Sequence, residues 1–409
     1  MKDINEKLVG FCTFPGAEIE FRTTDEEPVV VRQYSIAYIH HKVIDEQINS
    51  WLNSGVIGNE KAIDHSNNPI LVVPKRDIAG KIKDWRVCID PRMLNRKIRD
   101  SSHRLPRIED IFQRLAGKKV FSIIDLKSGF NQIKVAEKDR KKTAFTWKQR
   151  VYSFNGAPFG AKNIPQDFQR IMDRVFVDLD YVIPYIDDII VLSNSYEDHL
   201  KHVEEVLKRL NKYNLRVNWK KCQFACESLI ILGHEISQDG IRVVQDKLLK
   251  MDSWKPPTTI RALQRMLGFL NYFRNFVPHY AKLMAPIEAL RSGVKAKSND
   301  KIYWESQHQE ILEKVRSILE SKLLIQYPDF TKPMYVASDA SQYGLGAVLY
   351  QLNSDNSKSY LKFASRSLSS SERNYGAPQR ELLGVLFALS KFHDFIYAVN
   401  LLCLRITRV

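Results

Sequence analysis

The sequence is poor in cysteine and lacks any long apolar run. Five cysteines are scattered through 409 residues, and their odd number argues against a disulfide framework and predicts reduced thiols. No stretch of 18 apolar residues occurs, so no membrane-spanning helix and no membrane partner are predicted. The start, MKDINEKLVGFC, contains acidic residues and lacks the apolar core of a signal peptide. We therefore expect an intracellular protein.

Acidic residues are fewer than basic residues in this sequence. Lys and Arg number 62 against 47 Asp and Glu, which gives a net charge of +15. This balance predicts a partner with dense negative charge, and nucleic acid is the first candidate. Apolar residues make up 44% and charged residues 27%, as in soluble globular proteins, and the length predicts two to four domains.

Strand and helix patterns alternate through the first 257 residues. Residues 1–35 read as a partly extended leader, and residues 41–56 have helical spacing. NPILVVPKRD and GKIKDWRVCID read as paired strands, and KKVFSIID as a strand that ends at Asp125. Helices are predicted around Pro165 and from residue 196. The alternation predicts a mixed α/β module.

The pattern changes at WKPPTT, because two adjacent prolines cannot lie inside a helix. Residues 258–325 then read as mainly helical, with Thr258 or Thr259 as an N-cap. Ser306 and Gln309 suggest a capping box at a later helix. From residue 327 strands return, with two glycines at 344 and 346 suited to a hairpin, and a long apolar-rich helix begins at residue 378.

The stretch PYIDDIIV places Asp187 and Asp188 in an apolar, β-branched run. Read alone, this dipeptide is a solvated turn. Apolar neighbours predict partial burial instead, where two negative charges at 4 Å repel by about 1–4 kcal/mol and a bound cation would offset that repulsion. Asp125, read alone, is a turn residue or a helix N-cap. Together, three carboxylates at strand ends are a ligand set for two Mg²⁺ ions and for phosphoryl or nucleotidyl transfer.

A zinc site is the alternative for another group of side chains. The group consists of His199, His202, Cys222, Cys226 and His234, and the spacings between its two halves fit no known finger pattern. Each half of the group lies in an amphipathic context where a small buried thiol is ordinary. We therefore expect structural roles for these residues.

Five ordered motifs resemble the reverse transcriptases of gypsy-type long-terminal-repeat retrotransposons. They are FSIIDLKSGFNQIKV, FNGAPFGAKNIPQDFQRIMD, YIDDIIV, NWKKCQF and ILGHEIS. The resemblance covers residues 10–397 and implies an α/β (α+β) right-hand polymerase followed by a partial ribonuclease H-like α/β domain. It implies a leader over 1–35, fingers and a palm with an antiparallel sheet over 36–257, a helical thumb or connection over 258–326, and an incomplete ribonuclease H-like domain over 327–409.

Matching the motifs position by position implies roles for single residues. Asp125, Asp187 and Asp188 match the positions that hold two Mg²⁺ ions, or Mn²⁺, with the Leu126 carbonyl beside them. Phe130 matches the bulky position that excludes a ribose 2′-hydroxyl. The other positions are implied to contact the deoxynucleotide: Lys75 and Arg86 in the fingers, Phe159 and Gly160 in a turn, and Lys221 as proton donor to pyrophosphate, with adjacent Lys220 as the alternative.

The C-terminal part matches the family's ribonuclease H only in part. Asp339 in ASDASQYGLGAVL and Glu381 in NYGAPQRELLGVLFAL match two of the four carboxylates that hold its metal ions. The family continues with a strand that ends in a third Asp, where this chain reads LLCLRITRV. We expect an incomplete domain without ribonuclease H activity, in a fragment of a polyprotein.

The leading hypothesis is therefore an RNA-directed DNA polymerase of a retrotransposon. Its implied partners are an RNA or DNA template with a primer, deoxynucleoside triphosphates, and a second copy or other polyprotein products. It would act in a cytoplasmic particle or in the nucleus. A noncatalytic nucleic-acid-binding remnant of a decayed element is the alternative. An unrelated two-metal phosphohydrolase is a third reading, which leaves Lys75 and Arg86 unexplained.

Overall fold

The computed structural model describes residues 1–6, 10–76, 81–231, 233–244, 248–249, 251, 254–291, 299–321, 324–397 and 401–406. The chain divides into two compact units, residues 1–227 and 228–409. Each unit combines helices with sheets, so the predicted mixed α/β class is confirmed. The motif-based boundaries after residues 35, 257 and 326 stay predictions. Among the helices in the described ranges, none is both long and apolar enough to cross a membrane.

The first unit alternates helices and strands. Its helices are α1 (Lys2–Glu6), α2 (His41–Asn53), α3 (Arg92–Lys97), α4 (Ile108–Leu115), α5 (Ile164–Val175) and α6 (Tyr196–Lys212). Its strands are β1 (Glu18–Ile19), β2 (Ile57–Asn59), β3 (Ile70–Arg76), β4 (Ile82–Ile89), β5 (Val120–Asp125), β6 (Lys134–Val135), β7 (Phe145–Trp147), β8 (Arg150–Phe154), β9 (Val182–Tyr185), β10 (Asp188–Ser193) and β11 (Gln223–Cys226).

A four-stranded antiparallel sheet, in the order β11-β5-β10-β9, contains residues of three of the five motifs, and we call it the central sheet. The apolar run of β5 is buried up to its last residue, Asp125. α5 has Pro165 in its first turn, where a missing N–H breaks no helical hydrogen bond. α5 contacts β9, and α6 contacts β5 and β10. These contacts fix the strand ends at which the predicted carboxylates lie.

The rest of the first unit contains a separate small core. The β3-β4 hairpin and a sheet in the order β2-β8-β7 share this core with α2. Ile44 and Ile48 of α2 are buried in it. The N-terminal segment also belongs to this unit, because β1 pairs in parallel with β6 and both Ile19 and Phe21 are buried.

The second unit contains two sheets and four of the described helices. The helices are α7 (Ile260–Asn271), α8 (Tyr280–Ala289), α9 (Ser306–Glu320) and α10 (Ala377–Ile396). The strands are β12 (Ser228–Ile231), β13 (His234–Ser237), β14 (Gly240–Val243), β15 (Met334–Ala340), β16 (Gly344–Leu352), β17 (Lys358–Ser367) and β18 (Leu401–Ile406). One sheet has the order β12-β13-β14 and the other β17-β16-β15-β18, with α10 packed on β15 and β16.

One predicted helix cap is confirmed and one is wrong. Thr259 caps α7 and accepts a hydrogen bond from the Ala262 N–H. The capping box of α9 begins at Glu305 rather than Ser306, and its second member is His308, whose Nδ1 accepts from the Glu305 N–H at 3.0 Å. Ser306 is already helical because a glutamate side chain performs the capping.

Gly344 and Gly346 lie inside β16 and not in the turn that precedes it. A Cβ atom at Gly344 would lie 2.8 Å from the Arg366 carbonyl oxygen, and one at Gly346 would lie 2.7 Å from Nδ1 of His279. Both distances are too short for a real contact. The hairpin prediction was therefore right about the strands, but these glycines permit close packing instead of a turn.

Candidate active site

Three aspartates meet where strands of the central sheet end. Asp188 is the first residue of β10 and pairs across the antiparallel ladder with Asp125, the last residue of β5. Tyr185 pairs with Asp188 in the β9-β10 hairpin, so Ile186 and Asp187 form the two-residue turn between these strands. The register therefore brings together the three carboxylates that the motifs predict.

The turn holds Ile186 in an unfavourable backbone conformation. Its φ angle is +53°, in the left-handed region that a β-branched residue rarely adopts and that costs about 1–3 kcal/mol. Gln169 of α5, which is fully buried, compensates with two hydrogen bonds. Its Oε1 accepts from the Ile186 N–H at 2.8 Å, and its Nε2 donates to the Pro184 carbonyl at 2.8 Å. One side chain thus fixes both sides of the turn.

The space for the Asp187 carboxylate is provided by Gly129. A Cβ atom at position 129 would lie 2.5 Å from Oδ1 of Asp187, so any larger residue would displace this carboxylate. The backbone N–H of Leu126 donates to the Asp187 carbonyl at 3.1 Å. The end of β5 and the turn are therefore bonded to each other directly beside the carboxylates.

Burial and mutual repulsion dominate the electrostatics of this cluster. Burial raises the pKa of Asp187 to about 6, and the negative charges of Asp188 and Asp125 add to the rise. Burial and the charge of Asp125 also raise the pKa of Asp188. Nζ of Lys221 lies 3.4 Å from Oδ2 of Asp125 and offsets part of the repulsion. Among the described residues Lys221, and not Lys220, forms an ion pair with one of these carboxylates.

The carboxylates are suited to hard cations. Oδ1 of Asp125 and Oδ1 of Asp187 are both buried without a hydrogen-bond partner, which is costly for an ionised group unless a cation or donor satisfies it. Carboxylate and carbonyl oxygens are the ligands that Mg²⁺ prefers. Within the described ranges no group of three His, Cys, Asp or Glu side chains has the geometry of a formed metal cluster.

Phe130 lies in an aromatic cluster next to the aspartates. Its ring is 5.2 Å from the rings of both Phe159 and Phe168, measured between centroids. Phe159 is half exposed, whereas Phe168 is fully buried. Gly160 has a φ angle of +97°, and its carbonyl accepts a hydrogen bond from Nδ2 of Asn95 at 3.0 Å. The predicted nucleotide-flanking turn is thus anchored to α3.

Lys75 and Arg86 lie on the β3-β4 hairpin. Lys75 pairs with Asp84 and Val73 pairs with Arg86, so the two basic residues are diagonal neighbours on one face. Nζ of Lys75 binds Oδ2 of Asp84 at 2.8 Å, and both side chains are about half exposed. The hairpin therefore presents two cations side by side, one of them paired with a carboxylate that a more highly charged anion could replace.

Two histidines of the zinc alternative, His199 and His202, bond to serines, and Nδ1 of His234 lies 2.9 Å from the Tyr272 hydroxyl. Nε2 of His199 lies 2.6 Å from Oγ of Ser122, and its Nδ1 lies 2.8 Å from Oγ of Ser193. Nδ1 of His202 shares the Ser193 hydroxyl at 2.8 Å. Sγ of Cys222 donates to a backbone carbonyl. The contacts of His199 and His202 join α6 to β5 and β10, which is a structural role.

Asp339 and Glu381 lie on two adjacent elements of the second unit. Asp339 is in β15 and is almost fully buried, with Nδ1 of His279 at 3.3 Å from its Oδ2. Glu381 is in α10, which packs on β15, and its Oε2 is buried without a partner. The expected next strand is present, because β18 pairs in parallel with β15, and its residues LLCLRI contain no carboxylate.

Sequence reasoning missed three residues that build the site: Gln169, Gly129 and Asn95. Gln169 stands in the second motif, within PQDFQR, and Gly129 in the first, within KSGF. The residue types could be read from the sequence, but the contacts of these side chains join distant parts of the chain. A buried amide on an apolar helix face is the one signal that would have indicated Gln169, because a buried polar group requires partners.

Two family models match this chain. Residues 73–236 match the family described as reverse transcriptase (RNA-dependent DNA polymerase). Residues 304–402 match the RNase H-like domain found in reverse transcriptase. The first match contains the three aspartates of the central sheet, and the second contains Asp339 and Glu381.

Known proteins resemble the chain along nearly its whole length. It is 32% identical over 403 residues to the retrovirus-related Pol polyprotein from transposon opus of Drosophila melanogaster, covering 96% of this chain and 40% of the relative. It is 34% identical over 389 residues to that from transposon gypsy of the same organism, covering 92% and 37%. A foamy viral protease-reverse transcriptase, solved in complex with RNA/DNA hybrid, matches with a TM-score of 0.81 and 27% identity, covering 97% of this chain and 52% of that one.

Residues 73–236 belong to the reverse transcriptase family, and residues 304–402 belong to the family of RNase H-like domains found in reverse transcriptases. The relatives of the chain are the Pol polyproteins of gypsy-type retrotransposons. The chain spans about two fifths of the length of these curated relatives. The predicted family and fold class are thereby confirmed.

We expect Asp187→Asn to stabilise the metal-free protein at neutral pH. The pKa of Asp187 is about 6 in the folded chain and about 3.9 in an unfolded one. Above pH 6 the negative charge of Asp187 therefore lowers the free energy of unfolding. Below pH 4, where the carboxyl group is protonated, it does not. The free energy of unfolding, measured with urea in EDTA, should rise by about 1–3 kcal/mol at pH 7 and change little at pH 4.

The control for this experiment is Asp180→Asn, which alters an exposed carboxylate of the same unit. It should leave stability unchanged at both pH values. An Asp187→Asn protein that is less stable than the parent at pH 7 would show that the carboxylate is held by favourable contacts and not by strain.

Proposed function

We propose that this chain is an RNA-directed DNA polymerase. The observation that carries the proposal is the pairing of Asp125 with Asp188 at the end of the central sheet, with Asp187 in the adjoining turn. Membership of the reverse transcriptase family supports it. A primer 3′-hydroxyl would attack the α-phosphate of a deoxynucleotide, forming one O–P bond while the bond to pyrophosphate breaks.

The metal ligands are proposed to be Asp125, Asp187 and Asp188, with the Leu126 carbonyl. Two Mg²⁺ ions, or Mn²⁺, would activate the attacking hydroxyl and neutralise phosphate charge when bound. The protein itself would hold the three mutually repelling carboxylates close together. Gln169 and the bond from Leu126 to the turn do this.

Other side chains are proposed to bind and orient the nucleotide. Lys75 would exchange Asp84 for a phosphate, and Arg86 would offer its planar fork to the same triphosphate. Phe130 would contact the sugar where a ribose carries its 2′-hydroxyl, with Phe159 and Gly160 flanking it. Lys221, beside Asp125, would give a proton to the departing pyrophosphate.

The proposed partner is a template-primer duplex, together with deoxynucleoside triphosphates. The net charge of +15 favours such a partner. The similar foamy viral enzyme was solved in complex with RNA/DNA hybrid. We further propose that the protein acts inside the cell, in a particle or the nucleus, and that it associates with a second copy or with other products of its polyprotein.

We also propose that this 409-residue chain lacks ribonuclease H activity. Two-metal hydrolysis in this family uses four carboxylates. Asp339 and Glu381 fill two of those positions, and the strand beside β15 contributes none.

Primer extension tests the polymerase directly. With an RNA template, a DNA primer and Mg²⁺, we expect extension by the parent protein, and a loss of more than about 100-fold in Asp188→Asn, because a metal ligand is worth several kcal/mol. Glu204→Gln, on the exposed side of α6, is the control and should extend normally. A parent protein that binds the primer-template but extends no faster than Asp188→Asn would instead be a noncatalytic nucleic-acid-binding remnant.

Phe130→Val tests sugar selection. The smaller side chain leaves room for a 2′-hydroxyl, so we expect ribonucleotide incorporation relative to deoxynucleotide to rise about 10-fold or more. Phe168→Leu changes the buried partner of the same ring and should leave that ratio unchanged. Equal ratios in the parent and Phe130→Val would remove Phe130 from the nucleotide site.

Hydrolysis of an RNA/DNA hybrid tests the last proposal. With Mg²⁺ we expect no RNA cleavage above background by the parent protein, and no difference in Asp339→Asn. Metal-dependent cleavage that disappears in Asp339→Asn would contradict it, and would mean that other groups replace the two carboxylates.

A further inference from the structure

A chain of hydrogen bonds runs from the surface of the first unit to the turn that contains Asp187. Nε2 of His103 lies 2.9 Å from Oδ2 of Asp173. The other carboxylate oxygen, Oδ1, accepts from Nε2 of Gln169 at 2.8 Å. Gln169 in turn bonds the Pro184 carbonyl and the Ile186 N–H, each at 2.8 Å. Every link in this chain is of ordinary hydrogen-bond length.

We propose that His103 and Asp173 are positioning residues for the catalytic turn and act through Gln169. The inference rests on the proposed polymerase function, because it assigns these two residues to the geometry of that active site. Neither residue touches the aspartates themselves. Their effect would be on how firmly Gln169 holds Ile186, and hence on where Asp187 lies.

The amide of Gln169 has one orientation that satisfies all of its neighbours. Its NH₂ group faces two acceptors, the Asp173 carboxylate and the Pro184 carbonyl, and its oxygen faces the Ile186 N–H. A flipped amide would place oxygen against both acceptors and NH₂ against a donor. Asp173 contributes the ionised acceptor, whose hydrogen bonds are stronger than neutral ones. Removing it weakens the preference for the orientation that holds the turn.

His103 fixes the carboxylate of Asp173 from the outside. The two side chains come from separate segments, because His103 precedes α4 and Asp173 lies in α5, four residues after Gln169. The side chains of His103 and Asp173 are 29% and 37% exposed, so without His103 the carboxylate could rotate toward water. The imidazole thus holds the outer end of a relay whose inner end is fully buried.

A core role does not account for this pair. Both side chains are partly exposed and neither belongs to the hydrophobic cluster around α5. His103 lines a polar cavity of about 610 Å³ together with Ser101, Asn163 and Arg170. Polar residues at the edge of a cavity tolerate replacement when they serve only as surface. The contact to Gln169 is what makes Asp173 different from its neighbours.

The test compares Asp173→Leu and His103→Leu with the parent protein in single-turnover primer extension. We expect the maximal rate of nucleotide addition to fall about 3- to 10-fold, the effect of losing one hydrogen bond. The apparent affinities for primer-template and deoxynucleotide should stay within about 2-fold, because neither residue contacts them. His103→Gln keeps a donor for Asp173 and should restore most of the rate.

A double-mutant comparison separates the relay from general destabilisation. In a Gln169→Leu background the relay is already cut, so Asp173→Leu should cause no further loss of rate. Asp110→Leu is the matched control, since Asp110 is the carboxylate of an exposed ion pair with Arg107 near His103, and it should leave the rate unchanged. An equal fold-loss from Asp173→Leu with and without Gln169 would overturn the proposal.

Hydrogen exchange gives a readout that does not depend on activity. Peptides that contain the Ile186 amide should exchange faster in Asp173→Leu and His103→Leu, while peptides from residues 120–124 of β5 should not. Unchanged exchange at Ile186 would also overturn the proposal. If the parent protein extends no primer, the polymerase proposal fails, and the exchange experiment still decides whether the relay exists.

Discussion

Burial of the mutually repelling carboxylates of Asp125, Asp187 and Asp188 is the constraint on which the first unit depends. Three carboxylates in partly buried positions oppose folding, and the rise in the pKa of Asp187 to about 6 records that opposition. The surrounding contacts keep the group together: the β5-β10 register, the Lys221 ammonium and the buried amide of Gln169. The arrangement of the three carboxylates and the local instability therefore have the same origin.

Much of the fold was predictable because its signals are local. The apolar run before Asp125, Pro165 at the start of α5 and the helical spacing after residue 196 each identify an element from neighbouring residues. The order of the motifs then identified the carboxylates. Local signals failed at the start of α9, where Glu305 caps in place of Ser306, since several polar residues in a row compete for the same role.

The support around the site was not predictable, because it consists of contacts between distant segments. Nothing near Gly129 in the sequence shows that the space beside it is filled by Asp187. Gly346, similarly, looked like a turn residue, and only the nearness of His279 explains it. A sequence pattern shows which local structure a residue favours, whereas Gly129 and Gly346 are required because side chains from distant segments pack against them.

The left-handed backbone conformation of Ile186 affects where unfolding begins. Strain of about 1–3 kcal/mol is a large share of the 5–15 kcal/mol that typically separates folded from unfolded chains. Proteins also open locally, in fluctuations that begin at their least stable segments and leave the rest of the fold intact. On warming, the β9-β10 turn should therefore lose its order ahead of the sheet beneath it. This early local unfolding would leave the overall helix and strand content of the protein unchanged.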